Sequence, residues 1–402
     1  MNTASLASMK DIGALKGANG LSLIEIMIAL AIGSLLLLGL MQVFSASRTA
    51  YQLTEGMSRA QENGRFAMEF LQRDLRMAGH FGCVNDQAHL QSVDSMANHF
   101  PPATPANWGI AFPSSNAALA PGGAVRGYDA SGTGPGQTVD LTAPAAGWNP
   151  GLPPVIAALN PLPGSDIIEV RYLGNKGLPV TSITNPTATT TVVSVPASRW
   201  ATFTEDGEAT PTMFGLADCS FADIFPAAAV SSAAGTVTVN ALIDRYTPQP
   251  EGTALLYRVE SMVYYIGRGA SGRPALFRAR SNNAGIFPAS AAEELVEGIE
   301  SLQFLFGLDS VVDLGIAPPS GYLTEQRTAA GVTDSPMHWR RVGQVQVGIL
   351  SSSPDSAAAA NPVPARRQRA LGVVFAPPAV IDGRFRTTYE TTVALRNRLY
   401  GN

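Results

Sequence analysis

The chain has 402 residues, of which 46% are hydrophobic and only 14% are charged, whereas soluble domains usually carry about 25% charged residues. Its 27 basic and 31 acidic residues give a net charge of -4 and form no basic block. This balance argues against a nucleic-acid-binding protein, which would need a concentrated basic face. The first of the 29 prolines is Pro101, so the chain is built from two unlike parts.

The amino-terminal part contains one long apolar segment behind a polar leader. Residues 21–41 include a single charged residue, Glu25, and as a helix they would span about 31 Å, the thickness of a bilayer's hydrocarbon core. Lys10 and Lys16 precede the segment, which favours a cytoplasmic amino terminus. A secretory signal has a shorter apolar region. A plain anchor would not explain the carboxylate, which costs up to about 3 kcal/mol within a membrane helix.

The junction between the leader and the apolar segment has a specific pattern. Gly20 ends the leader, and Glu25 is the fifth residue after it. This arrangement resembles the type III signal of type IV prepilins, with the start codon open between Met1 and Met9. The resemblance implies that a prepilin peptidase cleaves after Gly20 and methylates the amino terminus of Leu21. It also implies that Glu25 pairs with the terminal ammonium of a neighbouring subunit, since the two charges are tolerated better together than apart in hydrocarbon.

A helical periodicity continues beyond the membrane segment. Apolar or small residues recur at steps of three and four and trace one helical face: Leu53, Met57, Ala60, Gly64, Ala67, Leu71, Leu75 and Ala78. Acid-before-base pairs such as Glu55/Arg59 and Glu69/Arg73 support the helix, and Gly79 is expected to end it. We expect this face to pack on the protein's own sheet, with a coiled-coil seam as the alternative.

The sequence from Glu62 to Cys83 is similar to the region that follows the membrane helix in the PilW family of minor pilins, and 295–304 and 391–398 extend the resemblance. The resemblance implies a structural protein, without cofactor, that primes type IV pilus assembly with other minor pilins and the major pilin. Such a protein would lie near the pilus tip beside an adhesin. A minor pseudopilin of a type II secretion system shares the signal and the fold. A membrane-anchored periplasmic enzyme or binding domain is a more distant alternative.

The remainder of the chain predicts strands that are separated by Gly, Pro and Asn turns. The predicted strands are 167–173, 189–195, 236–243, 255–266, 275–280, 299–308, 342–351, 371–375 and 386–395. One or two helical turns are predicted over Ala291–Val296, and residues 84–165 are interpreted as a large irregular insertion with a few short strands. The fold class is α+β, a long amino-terminal helix packed on a mainly antiparallel sheet, pilin-like by resemblance.

These expectations divide the chain into four segments. Residues 1–20 form a cleaved leader, 21–44 a transmembrane and assembly helix, 45–82 its amphipathic extension, and 83–402 a periplasmic β-rich domain. Before assembly the protein would be a single-pass protein in contact with inner-membrane lipid. After assembly it would be part of a pilus.

The sequence contains few other residues that could form a disulfide, a nucleotide site or a metal site. Cys83 and Cys219 are the only cysteines, and in an extracytoplasmic domain they are expected to form a disulfide, with two buried thiols as the alternative. Gly267–Gly272 fits the pattern GxGxxG but leads into a second strand rather than a helix, so it predicts a hairpin loop. The four histidines have no ligand spacing. We therefore predict no catalytic, cofactor or metal site.

Overall fold

A computed structural model gives the structure of the chain. It describes residues 22–85, 124–205, 209–219, 222–282, 286–313, 317, 319–333, 336–354, 367–376 and 382–399. The predicted leader, with Gly20 and Leu21, lies outside the described residues. The chain divides into two compact units, Met1–Tyr51 and Gln52–Asn402.

The first element is one continuous helix, α1, from Leu23 to Met77. In the second unit its buried residues are Gly56, Ala60, Gly64, Ala67, Met68, Leu71, Asp74 and Leu75. The predicted face is therefore confirmed from Ala60 onward, whereas the side chain of Leu53 is 38% exposed. Because this face packs against strands of the same chain, the coiled-coil alternative is not needed.

Short strands and one helical turn follow α1. They are β1 His80–Phe81, β2 Val84–Asn85, β3 Val125–Ala130, β4 Thr138–Asp140, β5 Trp148–Asn149, helix α2 Pro154–Ala157, β6 Ile167–Leu173, β7 Leu178–Pro179, β8 Ser182–Thr187, β9 Thr190–Ser194, β10 Met213–Ala217 and β11 Ala222–Pro226. A 3-10 turn covers Ala197–Phe203.

The second half contains the longest strands. They are β12 Ala229–Ser231, β13 Thr236–Val239, β14 Leu255–Arg268, β15 Pro274–Arg280, β16 Glu293–Glu297, β17 Ile299–Asp309, β18 Leu323–Arg327, helix α3 Pro336–Arg340, β19 Val342–Ser352, β20 Gln368–Ala370, β21 Val373–Ala376, β22 Arg386–Ala394 and helix α4 Arg396–Leu399. Further 3-10 turns cover Ala289–Ala291 and Ala329–Gly331.

The described strands form five sheets, and the largest has nine strands around the long strand β14. Its main path is β11-β10-β14-β6-β3-β5, with β7 and β15 also paired to β14 and β16 paired to β15. Two four-stranded sheets have the orders β18-β17-β19-β22 and β12-β13-β9-β8, and the smaller ones are β20-β21-β4 and β1-β2. The pairing is antiparallel except between β4 and β21. The α+β prediction with mainly antiparallel strands is confirmed.

The main core lies between α1, the central sheet and the β18-β17-β19-β22 sheet. Leu71 and Leu75 of α1 pack with residues such as Met262 of β14 and Val347 of β19, all of them buried. A separate core lies under the β12-β13-β9-β8 sheet, with Trp200 among its buried residues. The sequence did not indicate this second core.

The structure corrects two of the expectations from the sequence. The predicted helical turns over Ala291–Val296 were wrong, since the 3-10 turn Ala289–Ala291 leads into the strand β16, which pairs with β15. Long-range pairing overrides the local helix preference of its glutamates. The predicted insertion over 84–165 is also more ordered than expected where it is described. Its strand β3 pairs with β6 inside the central sheet, while residues 86–123 lie outside the described residues.

Candidate functional site

The predicted assembly residue Glu25 lies in the first turn of α1, where it forms a capping box with Ser22. The carboxylate oxygen Oε2 accepts a hydrogen bond from the backbone N–H of Ser22 at 3.0 Å. In return, the Ser22 hydroxyl accepts one from the backbone N–H of Glu25 at 3.2 Å. These bonds satisfy two donors that a helix start otherwise leaves unpaired. The spacing Ser-x-x-Glu is the signature of this motif, so the sequence could have indicated it.

The part of α1 in the first unit has the surface of a membrane helix. No side chain between Leu23 and Phe44 is buried. The helix is long and apolar enough to cross a membrane, a property that signal sequences share. Because its Leu, Ile and Met side chains are exposed on all sides, this segment needs lipid or other helices around it.

In the second unit, the buried face of α1 contains one acid, Asp74, whose side chain is 1% exposed. Its Oδ1 accepts a hydrogen bond from the Tyr172 hydroxyl at 3.0 Å. Its Oδ2 accepts one from the Tyr264 hydroxyl and one from the Arg278 guanidinium, the latter at 3.4 Å. Arg73, which the sequence pattern pairs with Glu69, instead donates to Asp74 at 3.1 Å.

The partners of Asp74 come from three neighbouring strands, β6, β14 and β15. Burial, reinforced by the nearby carboxylate, raises the pKa of Tyr172 and of Tyr264, so both hydroxyls stay protonated and donate. One residue of α1 is thereby bonded to three strands. The apolar periodicity missed it, although position 74 lies three residues after Leu71 on the same face.

Three further contacts attach α1 to the sheets. The Asn63 amide donates to a backbone carbonyl of β16 at 2.9 Å, and the Gln72 amide donates to the Thr391 hydroxyl at 3.0 Å. At Gly64, an added Cβ would overlap the ring of Tyr389 on β22. This glycine therefore permits a close approach between helix and strand rather than a bend.

The carboxyl end of α1 is held by two separate contacts. The side-chain amide of Asn397 donates to the backbone carbonyls of residues 76–78, at 3.3, 3.4 and 3.4 Å. Gly79, with φ +76°, then reverses the chain. Beyond it, Cys83 is joined by a disulfide to Cys219 in the β10–β11 turn, with the two Cα atoms 4.7 Å apart. The predicted disulfide is confirmed.

The glycine-rich motif Gly267–Gly272 lies at the hairpin between β14 and β15, as predicted. The backbone N–H of Ala270 donates to Oε2 of Glu294 at 2.9 Å, so one of the protein's own carboxylates uses a donor that a phosphate would need. Among the histidines, Nδ1 of His80 lies 3.0 Å from the backbone carbonyl oxygen of Leu173. In the described part of the chain, no three His, Cys, Asp or Glu side chains could hold a metal ion.

A second buried acid, Asp166, joins β3 to β17. Its carboxylate accepts hydrogen bonds from the backbone N–H groups of Ala130 and Phe304 at 2.8 and 2.9 Å, and from the Thr133 hydroxyl at 3.2 Å. Burial, together with the nearby carboxylate of Asp129, raises the pKa of Asp166 well above its usual range. Asp166 is 3% exposed, so it acts inside the fold rather than on a substrate.

Comparison with known proteins gives two family matches. Residues 263–397 match the family described as PilW, Type IV Pilus-assembly protein W, and residues 15–41 match the Prokaryotic N-terminal methylation motif. The first match includes Tyr264 and Arg278, two of the partners of Asp74. A search of curated proteins found no match. Among solved structures, a type IV-like pilin from Thermus thermophilus is similar at 16% identity over 40% of this chain and 76% of the pilin, with a TM-score of 0.21.

Proposed function

We propose that this chain, which is type IV pilin-like and contains a PilW segment, is a minor pilin that takes part in priming and assembly of type IV pili near the pilus tip. The observation that carries the proposal is that the two parts of α1 have different surfaces. Residues Leu23–Phe44 expose apolar side chains on every side, whereas one face of the helix between Gly56 and Leu75 is buried against the protein's own strands. A subunit that is held in a membrane and later joins a bundle of helices needs such a helix.

In this proposal, the prepilin peptidase cleaves after Gly20 and methylates Leu21, and the match of residues 15–41 to the methylation motif supports this processing. Residues 21–44 then anchor the subunit in the inner membrane. Residues 83–402 stay in the periplasm until assembly.

Glu25 has a capping role within its own helix and an assembly role toward a neighbouring subunit. Only Oε2 of its carboxylate is used in the capping box. Within the described residues, Oε1 accepts no hydrogen bond, so it is available to the methylated ammonium of another chain. Both roles are therefore compatible in one geometry, and methylation leaves the charge of the amine intact.

The large β-rich domain supports a position near the tip, because a subunit of this size is awkward to repeat along a thin filament. Its partners there would be other minor pilins, the major pilin and an adhesin. The structural role of the family supports a protein without enzymatic activity.

Variants of Glu25 and Ser22 separate charge pairing from helix capping. Gln can occupy the third position of a capping box but carries no charge. Glu25→Gln should therefore be processed normally and still give few surface pili, as should Glu25→Ala. Ser22→Ala keeps the charge and should give nearly normal piliation. Normal pili in the Gln variant, with loss only in the Ala variant, would assign Glu25 to capping alone.

Two measurements test the broader role. Deletion of the gene should abolish surface pili, while the protein itself should be scarce in sheared pili; abundance equal to the major pilin would contradict a tip position. Mass spectrometry of the mature protein should find a methylated Leu21. A native chain that still begins at Met1 or Met9 would contradict the pilin assignment.

A further inference from the structure

Two cavities in the second unit share the same three charged residues, Arg258, Glu260 and Arg280. The larger cavity, of about 230 Å³, is also lined by the last turns of α1 and by the chain that follows β6. The smaller one, of about 200 Å³, is also lined by residues 210–213. The two cavities therefore have part of their charged lining in common.

Two of the three shared residues are already used inside the protein. Arg258 donates to Glu260 and also to the backbone carbonyls of Phe203 and Glu205, at 2.8 and 2.7 Å. Glu260 is 5% exposed and accepts hydrogen bonds from both arginines. Burial raises the pKa of Glu260 in spite of these two cations.

Arg280 makes fewer hydrogen bonds than Arg258. Its side chain is only 17% exposed, and within the described part of the chain it makes one hydrogen bond, from Nη1 to Oε2 of Glu260 at 3.3 Å. A guanidinium has five N–H donors in a planar fork. None of its nitrogens is among the enclosed polar atoms that lack a partner. The remaining donors therefore lie on accessible surface, and Arg280 lines both cavities.

The charge around the larger cavity favours an anion of low charge. Its charged lining consists of four cations and three carboxylates: Arg73, Lys176, Arg258, Arg280, Asp74, Glu205 and Glu260. A singly charged carboxylate would neutralise the excess of one positive charge. A doubly charged phosphate would leave an excess negative charge and would cost more to remove from water.

We propose that the larger cavity binds a carboxylate group, held by the guanidinium of Arg280. Guanidinium and carboxylate groups match through two parallel N–H···O bonds, a geometry that a lysine cannot reproduce. The carboxylate could belong to a small free acid or to an acidic side chain of a partner protein. This site is independent of the proposed pilus role, since it rests on Arg280 and the cavity alone.

Calorimetric titration of the full chain in nonionic detergent tests the site with two probes, succinate and a short peptide of three glutamates with blocked ends. Arg280→Gln should weaken binding about tenfold or more, as expected for loss of a charge-assisted hydrogen bond. Arg280→Lys should have an intermediate affinity. Arg268→Gln, which removes an exposed arginine of β14, should bind as the unmodified protein does.

Because Arg280→Gln leaves the buried Glu260 with one cation fewer, the double variant Glu260→Gln/Arg280→Gln removes one charge of each sign, keeps the net charge of the network unchanged and serves as the folded control. Circular dichroism should show both variants folded. Binding of succinate would identify a free acid as sufficient, and binding of the peptide alone would identify a partner protein as the source. No binding of either probe to the unmodified protein, or equal binding to the folded Arg280 variants, would overturn the proposal.

Discussion

Replacement of Asp74 by alanine tests whether this buried acid holds α1 on the sheets. Its carboxylate is the acceptor for the hydroxyls of Tyr172 and Tyr264 and one of two acceptors for Arg278. The three donors are 8%, 0% and 4% exposed, so little bulk solvent surrounds them. Alanine therefore leaves two hydroxyls without an acceptor, while Arg278 keeps its ion pair with Glu293 at 2.7 Å.

The expected loss follows from these groups. A buried donor without a partner costs about 1–3 kcal/mol, and removal of one partner of a buried ion pair costs about 3–5 kcal/mol. Because Arg278 retains Glu293, the cost comes mainly from the two hydroxyls that lose their acceptor, and we expect Asp74→Ala to lower the free energy of unfolding by about 4 kcal/mol. Asp74→Asn keeps the shape and one acceptor oxygen, so it should lose about 2 kcal/mol.

Urea unfolding of the full chain in detergent, followed by tryptophan fluorescence, measures this loss. Trp339 is buried in the core that contains α1, and Trp200 is buried in the second core, so the two report on different regions. Glu69→Ala, at an exposed position of the same helix, is the matched control and should change the free energy by less than about 0.5 kcal/mol. A loss below about 1 kcal/mol for Asp74→Ala would refute the reasoning.

Three other changes have defined outcomes. The double variant Cys83→Ser/Cys219→Ser should lower the free energy of unfolding by up to about 5 kcal/mol, because the disulfide closes a loop with a sequence separation of 136; an unchanged urea midpoint would contradict this. Gly64→Ala should cost about 1–3 kcal/mol, and a smaller residue at Tyr389 should relieve it in a double variant. The raised pKa of Asp166 means that the folded state keeps a proton that the unfolded chain releases above about pH 4. Its stabilising contribution is therefore complete below that pH and is lost as the pH rises through the folded-state pKa, and Asp166→Asn should flatten this slope in urea titrations.

The strands were predictable where local sequence decides them. The predicted strand 167–173 coincides with β6, and 299–308 and 342–351 end within one residue of β17 and β19. These segments are apolar and bounded by turn residues, which is the local signal of a buried strand. β3 and β16 were not predictable in this way, because their sequences carry polar residues and their place depends on distant strands. β16 is a strand because β15 offers it an edge.

The candidate site was likewise predictable only in part. The position of Glu25 near the start of the apolar helix follows from a short-range pattern, and the disulfide follows from the presence of only two cysteines. The cluster around Asp74 could not be predicted, because its tyrosine and arginine partners lie 98, 190 and 204 residues away in the chain. A helical projection places an acid on the apolar face at position 74, but nothing in the sequence tells which distant donors meet it.

Two residues that interrupt the apolar face of α1 also define how that face is aligned on the sheets. An apolar face alone would tolerate a shift of one turn, since residues four apart are of similar character. Such a shift would bring Phe70 or Ala78 to the position of Asp74, and the buried tyrosine hydroxyls would lose their acceptor. The same shift would replace Gly64 by a residue with a Cβ, for which the ring of Tyr389 leaves no space. A carboxylate and a glycine, each unfavourable to a simple apolar stripe, therefore restrict α1 to one register.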